Sequence, residues 1–161
     1  MHADLTQHAR AVSGHVLARG HYATFLTATG AGYSAWNGLA LTRWNADPVE
    51  SGEGFFLYAR DLDSGVFWSL GQQPAWKVAE QYATRFTPDR AELLRLDQGI
   101  EARLEVCIAP DADLELRRVT LRNRSDWLRR IELTSYAEVV LNVWAADAAH
   151  PAFSKLFVQT E

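Results

Sequence analysis

The sequence predicts an all-β protein, an antiparallel β-sandwich, on three observations. From Gly14 onward, short apolar and aromatic runs are separated by turn-forming residues, which is the pattern typical of sandwiches. Within several runs, apolar and polar side chains alternate as they do in half-buried strands. The only stretch compatible with a helix is Ala145–His150, which we expect Pro151 to end. A chain of 161 residues is long enough for one domain with a real core.

Turn signals divide the first two thirds of the chain into hairpins. Gly65 ends the polar loop that begins at Asp61, and Gly99 ends the loop that begins at Asp97. Both loops have the composition of hairpin connections. Pro88 suits the second position of a third turn. The predicted strands of this part are His21–Thr29, Gly54–Arg60, Val66–Leu70, Trp76–Phe86, Ala91–Leu96 and Ile100–Ile108.

The last third of the chain predicts longer strands. In Leu114–Arg122 the alternation shifts by one residue at Arg117-Arg118, which predicts a β-bulge. Leu128–Leu141 is predicted to be one long strand that becomes buried on both faces at its continuous apolar end. The alternation from Phe153 to the end predicts a final strand cut from a longer chain. We expect a disordered tail over residues 1–13 and a single domain over residues 14–161.

Composition and charge exclude several classes of protein. The chain is 48% hydrophobic and 22% charged, as is ordinary for a soluble globular domain. A net charge of −4 argues against a nucleic-acid partner, because phosphate binding needs a concentrated basic face. The single Cys107 excludes an intramolecular disulfide and is predicted to be buried. No segment approaches the ~20 apolar residues of a membrane span, and the N-terminus lacks the apolar region of a signal peptide.

No group of residues has the spacing of a catalytic or metal site. The acidic pairs Asp61/Asp63 and Asp111/Asp113 lie in polar turns, where aspartate bonds nearby backbone amides. Glu138 is either an inward polar group or a solvent-facing residue of an amphipathic strand. The histidines show no metal-ligand spacing such as HExxH. The sequence therefore predicts no catalytic residue, no metal and no cofactor for this chain.

The segment Thr27–Asn45 gathers aromatic residues beside Gly30, Gly32 and Gly38. Flat rings held on tight turns suit the C–H faces of sugars, and neighbouring polar side chains can bond hydroxyls. A second group surrounds a loop that contains Gln73. The alternative is that these rings pack in a sandwich core. The candidate carbohydrate-binding residues are Tyr33, Ser34, Trp36, Asn37, Arg43, Trp44, Gln73 and Trp76.

Four blocks in order carry a family resemblance. GAGYSAW followed by LTRW resembles the N-terminal β-sandwich region of glycoside hydrolase family 94, the inverting disaccharide phosphorylases. The phosphorylase-like part of cyclic β-1,2-glucan synthases is the nearest match. The likeness continues through FFLYARDLDSGVFWS, LTSYAEVVL and HPAFSKLFVQTE. The chain departs from the family at Asn37-Gly38, where members commonly carry an Arg-Asp pair, so any contact of that pair is not expected here.

The resemblance implies the first part of a galactose-mutarotase-like supersandwich, which in relatives precedes an (α/α)₆ barrel with the catalytic Asp and the phosphate site. It implies a non-catalytic piece of a glycosyltransferase or glycoside phosphorylase. The piece would be a soluble domain on the cytoplasmic side of a membrane-bound parent. Two roles stay open, namely recognition of a glucan or gluco-oligosaccharide and structural support of the second sandwich half and the barrel. Because a truncated sandwich leaves an open edge, we also expect a homo-oligomer.

Overall fold

The described residues of a computed structural model, 13–44, 53–156 and 158–159, form twelve strands and two short helices. This confirms the all-β prediction. The strands are β1 (Gly14–Arg19), β2 (Tyr22–Thr27), β3 (Gly32–Trp36), β4 (Leu39–Thr42), β5 (Phe55–Asp61), β6 (Phe67–Ser69), β7 (Gln81–Thr87), β8 (Arg90–Asp97), β9 (Ile100–Ile108), β10 (Glu115–Asn123), β11 (Ile131–Ala137) and β12 (Val139–Asn142). The helices are α1 (Trp144–Ala149) and α2 (Pro151–Lys155).

Three antiparallel sheets make up the described part of the domain. The orders are β1-β2-β3-β4-β12 in a five-stranded sheet, β10-β9-β8-β7 in a four-stranded sheet and β11-β5-β6 in a three-stranded sheet. Most neighbours in space are also neighbours in sequence, as in a meander of hairpins. The exceptions are β11, which returns to pair with β5, and β12, which pairs with β4.

One apolar core contains residues from all three sheets. Leu26 comes from the five-stranded sheet, Trp68 from the three-stranded sheet, and Leu93 and Val106 from the four-stranded sheet. In β8 and β9 every second residue faces this core, as the strand period requires. The core therefore holds the sheets together as layers of a sandwich.

Two hairpins close with two-residue turns, and the sequence predicts the second of them as a loop from Asp97 to Gly99. Asn37 and Gly38 have φ values of 48° and 82°, and Gln98 and Gly99 have values of 52° and 74°. Positive φ at both central residues is the mark of the turn that suits the twist of a hairpin. Trp36 therefore pairs directly with Leu39 across the first turn.

The C-terminal prediction is confirmed for the helix before Pro151 and wrong for the final strand. α1 ends at Ala149, ahead of Pro151, and Pro151 itself begins α2, because proline at the first helical position loses no hydrogen bond. The predicted final strand is therefore a helix from Pro151 to Lys155. Val158 and Gln159 lie outside regular structure, and residues 157, 160 and 161 lie outside the described part. The predicted tail also lies outside it, except for Ser13, whose carbonyl accepts a bond from the Ala28 amide at 2.6 Å.

The predicted bulge at Arg117-Arg118 is also wrong. The register of β10 on β9 runs without a break from Glu115 to Asn123. Leu114 lies in the turn before the strand, and Leu116 faces away from the core, whereas Val119 packs against it. Apolar residues thus occur on both faces of a regular strand. In the sequence, this pattern looks the same as a shift of alternation at a bulge.

The predicted long strand Leu128–Leu141 is two strands in different sheets. β11 ends at Ala137 and β12 begins at Val139, so Glu138 alone connects the two sheets. The Glu138 carbonyl accepts a hydrogen bond from the Arg43 amide at 2.9 Å. The predicted burial of the apolar end on both faces is wrong, because Leu141 is exposed with a φ of 54°.

A buried ion pair joins β5 to the loop before β11. Arg129 donates to Asp61 Oδ2 from Nε at 3.2 Å and from Nη2 at 2.5 Å. The Asp63 amide donates to Asp61 Oδ1 at 2.9 Å. The hydrogen bond from the Asp63 amide lowers the pKa of Asp61 to about 2. Burial opposes this shift, and the hydrogen bonds from Arg129 add to it.

The Asp61→Asn variant is expected to lose part of the acid dependence of folding stability. Because the folded pKa lies below the usual value near 3.9, the carboxylate stabilises the fold above that value. This contribution disappears as the pH falls towards about 2. Urea unfolding at a series of acidic pH values measures the effect. The exposed Asp111→Asn should keep the wild-type profile, and an unchanged profile in Asp61→Asn contradicts the prediction.

Candidate functional site

Four aromatic rings pack together on one face of the five-stranded sheet. The centroid of Tyr33 lies 5.8 Å from that of Trp44 and 5.0 Å from that of Trp144. Phe25 lies 5.6 Å from Trp44. The planes of Tyr33 and Trp144 meet at 84° and those of Phe25 and Trp44 at 78°, which are edge-to-face contacts. We call Phe25, Tyr33, Trp44 and Trp144 the aromatic cluster.

The strand register explains how this cluster forms. Phe25 of β2 is paired directly with Tyr33 of β3, so both rings leave the sheet on the same face. Trp44 follows β4, and Trp144 is the first residue of α1. All four side chains are partly buried. The faces and edges of these rings are therefore largely covered by one another.

Arg43 is the centre of an ion-pair network in the same region. Its guanidinium binds Asp147 in two places, with Nε to Oδ2 at 3.1 Å and Nη2 to Oδ1 at 2.7 Å. Its Nη1 donates to Glu138 Oε2 at 2.7 Å. Lys155 Nζ lies 3.2 Å from the same Glu138 oxygen. The hydrogen bond to Asp147 raises the pKa of Arg43 further. The network ties β4, α1 and α2 to the junction of β11 and β12.

Glu138 is the acidic residue at the junction of β11 and β12, and it pairs with both Arg43 and Lys155. Burial favours its neutral form, but the hydrogen bond from Lys155 and the charges of Lys155 and Arg43 lower its pKa overall. Tyr136 Oη also donates to Glu138 Oε1 at 3.4 Å. The carboxylate is thus ionised and engaged on both oxygens. It is an inward polar group at the strand junction, which is one of the two alternatives that the sequence leaves open.

Glu53 completes the acidic side of the network. Its Oε2 is buried and has no hydrogen-bond partner among the described residues. Burial raises the pKa of Glu53, the charge of Arg43 opposes this, and the charges of Glu138 and Asp147 add to the increase. Since Arg43 is already shared by two other carboxylates, Glu53 holds a proton more readily than an exposed glutamate.

Ser34 and Trp36 lie on the opposite face of β3 from Tyr33 because side chains alternate along a strand. The Ser34 hydroxyl is buried and donates to Glu115 Oε2 at 2.6 Å. Trp36 is partly exposed, and its Nε1 donates to Asp113 Oδ2 at 2.8 Å. Ser34 therefore offers no hydroxyl at the surface, and the polar edge of Trp36 already has a protein partner.

Gln73 and Trp76 lie on a separate loop between β6 and β7. Gln73 is buried, and its Oε1 accepts a bond from Thr29 Oγ1 at 3.1 Å. Trp76 is 56% exposed with a φ of 50°, which is an unusual conformation for a tryptophan. The buried Arg95 holds the loop by donating to the Gly71 carbonyl at 2.6 Å and to the Lys77 carbonyl at 2.8 Å.

The structure thus gathers only part of the set of candidate residues. Tyr33, Arg43 and Trp44 lie together, whereas Asn37 forms the turn between β3 and β4. Sequence reasoning missed Trp144 and Asp147, which are three residues apart in α1 and so lie on one face of it. No signal in the sequence points to Glu53.

A metal site and a membrane-spanning helix are two further features that the described part of the chain could carry. There, no group of three or more His, Cys, Asp or Glu side chains has an arrangement that could hold a metal ion. Of the helices in that part, none is long and apolar enough to cross a membrane.

The fold and the cluster define an antiparallel β-sandwich domain with a partly buried aromatic and acidic face. The chain belongs to the glycosyl hydrolase 94 supersandwich domain family, which it matches over residues 1–161. This confirms the resemblance carried by the four sequence blocks.

Three named proteins illustrate the similarity to known sequences. The chain is 45% identical over 91% of its length to a cyclic beta-(1,2)-glucan synthase of Rhizobium meliloti (strain 1021). It is 29% identical over 73% of its length to an N,N'-diacetylchitobiose phosphorylase of Vibrio proteolyticus and 29% identical over 61% to a solabiose phosphorylase of Paenibacillus borealis. The matched part spans 5%, 15% and 13% of these proteins, respectively. The chain therefore corresponds to a small part of large enzymes.

Proposed function

We propose that this chain is a non-catalytic structural domain of a glucan-synthesising or phosphorolysing enzyme, and that the rest of that enzyme docks on it through β11. The observation that carries the proposal is the exposure of β11. Every residue from Glu132 to Tyr136 is exposed, including Leu133 at 44% and Tyr136 at 47%. A strand open on both faces lacks the cover that apolar residues usually have in a sandwich.

The edge of β11 supports the same proposal. Within the described residues β11 pairs only with β5, so the peptide groups of its other edge have no strand beside them. Such an edge binds an added strand readily through main-chain hydrogen bonds. The occupant that we propose is a strand from the remaining polypeptide, because the chain spans only 5–15% of the length of the relatives above.

The aromatic cluster also favours support over sugar recognition. Sugar platforms present open ring faces, whereas Tyr33, Trp44 and Trp144 meet edge to face and are partly buried. The parent that we propose is a membrane-bound glycosyltransferase or a glycoside phosphorylase that carries an (α/α)₆ barrel. The domain would then lie on the cytoplasmic side, as the sequence resemblance implies.

Replacing Leu133 and Tyr136 together by lysine is expected to weaken docking of the remaining polypeptide at least about tenfold, because buried aromatic and aliphatic anchors dominate interfaces. The measurement is binding of the separately produced remainder of the parent to this chain by calorimetry. Circular dichroism checks that the variant is folded. Val78→Lys, on the exposed loop before β7, is the matched control. Equal binding by the double variant and the wild type refutes the proposal.

A second copy of this chain is the other occupant that an open β11 edge allows, and its binding would give a homo-oligomer. Light scattering of the chain alone at high micromolar concentration tests this prediction. Association that disappears in the Leu133→Lys, Tyr136→Lys variant would assign the edge to a second copy. A monomer at every concentration would contradict the predicted oligomer and leave the edge to the parent polypeptide.

Carbohydrate recognition is the second candidate function, and the exposed Trp76 favours it. Its loop is held by the buried Arg95, so the ring is presented on a rigid support. The partner would be a glucan or gluco-oligosaccharide of the parent enzyme. Saturable NMR shifts of the Trp36, Trp44 or Trp76 indole signals on adding β-1,2-gluco-oligosaccharides would support this role. Their absence would contradict it.

A further inference from the structure

An open cavity of about 790 Å³ lies where three connections between strands meet. The connections are the β5–β6 loop, the β8–β9 turn and the loop between β10 and β11. Loops grouped on a rigid sandwich are a frequent place for binding sites. The volume lies within the range of about 300–1,000 Å³ that small-molecule sites show. None of the carbohydrate-binding residues predicted from the sequence lines this cavity.

The base of the cavity is fixed by hydrogen bonds between the three connections. The buried Asp61–Arg129 pair joins the first loop to the third. Arg129 Nη1 donates to the Gln98 carbonyl at 2.5 Å, and the Arg124 amide donates to the Gly99 carbonyl at 2.8 Å. The walls are therefore positioned before any ligand arrives, which reduces the entropy that binding costs.

Trp127 offers the cavity an open ring. Its side chain is 64% exposed, more than any other tryptophan among the exposed residues of the described part. Its carbonyl accepts a bond from Asn123 Nδ2 at 2.7 Å, which holds the backbone of the loop. The guanidinium carbon of Arg129 lies 5.7 Å from the ring centroid, on one side of the ring. The rest of the indole surface is available for an apolar ligand face.

Polar side chains surround the ring. Asp63 and Ser64 line the cavity from the first loop and Gln98 from the second. The Gln98 amide group and the Asp126 carboxylate make no hydrogen bond within the described part of the chain. An amide group both donates and accepts, and a carboxylate accepts, so together they match neighbouring hydroxyl groups.

The charges of the cavity select against an anion. Arg129 is paired with Asp61, Arg124 with Glu101 and Arg130 with Asp63. Asp126 is left as a carboxylate without a paired arginine, so an anionic ligand would meet repulsion with no free cation to offset it. A neutral ligand with an apolar face and many hydroxyl groups fits these groups best.

We propose that this cavity binds a neutral oligosaccharide, with one sugar ring stacked on Trp127 and its hydroxyl groups bonded to Gln98 and Asp126. The sugar class rests on the proposed function, since the parent enzyme would make or cleave glucans. The site differs from the docking strand β11 and from the aromatic cluster. A glucan held here would be anchored beside the enzyme and not at its reacting bond.

The test is an NMR titration of the full chain with neutral β-1,2-gluco-oligosaccharides up to about 20 mM, a range that covers dissociation constants of about 1 mM. We expect a saturable shift of the Trp127 indole signal and of Gln98 and Asp126. Trp127→Ala should weaken binding by about tenfold or more. Val78→Ala, which shortens an exposed apolar side chain outside the cavity, should bind as the wild type does. An anionic oligoglucuronate should bind more weakly than the neutral sugar.

Three outcomes would overturn the inference. They are no saturable shift with any neutral sugar, binding that persists in a folded Trp127→Ala variant, and binding lost in Trp76→Ala instead. The last of these would assign sugar recognition to the loop that the sequence predicts. Failure here leaves docking through β11 untouched, because that proposal is measured by binding of the remaining polypeptide and involves Leu133 and Tyr136.

Discussion

Replacing Arg95 by alanine is expected to lower the free energy of unfolding by about 3–5 kcal/mol, because it removes one partner of a buried ion pair. The Arg95 side chain is fully buried in the core face of β8. It donates to Asp97 Oδ2 at 2.5 Å and to the carbonyl groups of Gly71 and Lys77. In the variant, Asp97 would be a buried charge without its partner, and the two carbonyls would lose their donors.

Urea unfolding followed by circular dichroism measures this change. The matched control is Arg85→Ala on the neighbouring strand β7, where the side chain is exposed and the expected change is within about 0.5 kcal/mol. Arg95→Lys retains the charge but not the planar fork that reaches three acceptors, so it should be intermediate. A loss below about 1 kcal/mol for Arg95→Ala, comparable with a surface change, would contradict the prediction.

Replacing Trp68 by alanine is expected to cost about 3–5 kcal/mol through the cavity left in the core. Trp68 is 1% exposed and is the largest fully buried side chain of the described residues. It lies on β6 beside Ala59 of β5, within the core shared by all three sheets. The variant is expected to unfold at a lower urea concentration, with a loss of near-UV circular dichroism.

Trp76→Ala provides the matched control, since its ring is 56% exposed and its loss should change stability by about 0.5 kcal/mol or less. If Trp68→Ala does not fold, the milder variant Trp68→Phe provides a second measurement of the contribution of this side chain to stability. Phenylalanine removes the Trp68 Nε1 donor, which is buried without a partner in the described part, so the cost should fall clearly below that of alanine. Equal stability of Trp68→Ala and Trp76→Ala would show that Trp68 does not hold the core.

The hairpins could be predicted because their signals are local. Gln98-Gly99 allows positive φ at two adjacent residues, and the flanking apolar residues alternate. The long segment Leu128–Leu141 could not be resolved in this way. Its break depends on Arg43, which lies far away in sequence and bonds the Glu138 backbone and side chain. Tertiary contacts of this kind leave no local pattern.

Only part of the aromatic cluster could be predicted from the sequence, for a similar reason. Residue types and glycines identify Tyr33, Trp44 and Arg43 as a group, and the structure places them together. Alternation along β3 separates Ser34 from Tyr33, but residue type alone does not reveal which side of the strand faces the core. The Trp127 cavity carries no signal at all, since it forms only when three distant turns meet.

The single-residue connection at Glu138 has a consequence for how the domain unfolds. A single residue joins the three-stranded sheet to the five-stranded sheet, so this connection has no spare length that would let one sheet move away from the other. The Arg43 bonds secure this junction on both sides, to Glu138 in the connection and to Asp147 in α1. Mechanical or thermal disruption of one sheet is therefore transmitted to the other. The domain should lose its sheets in one cooperative step and not layer by layer.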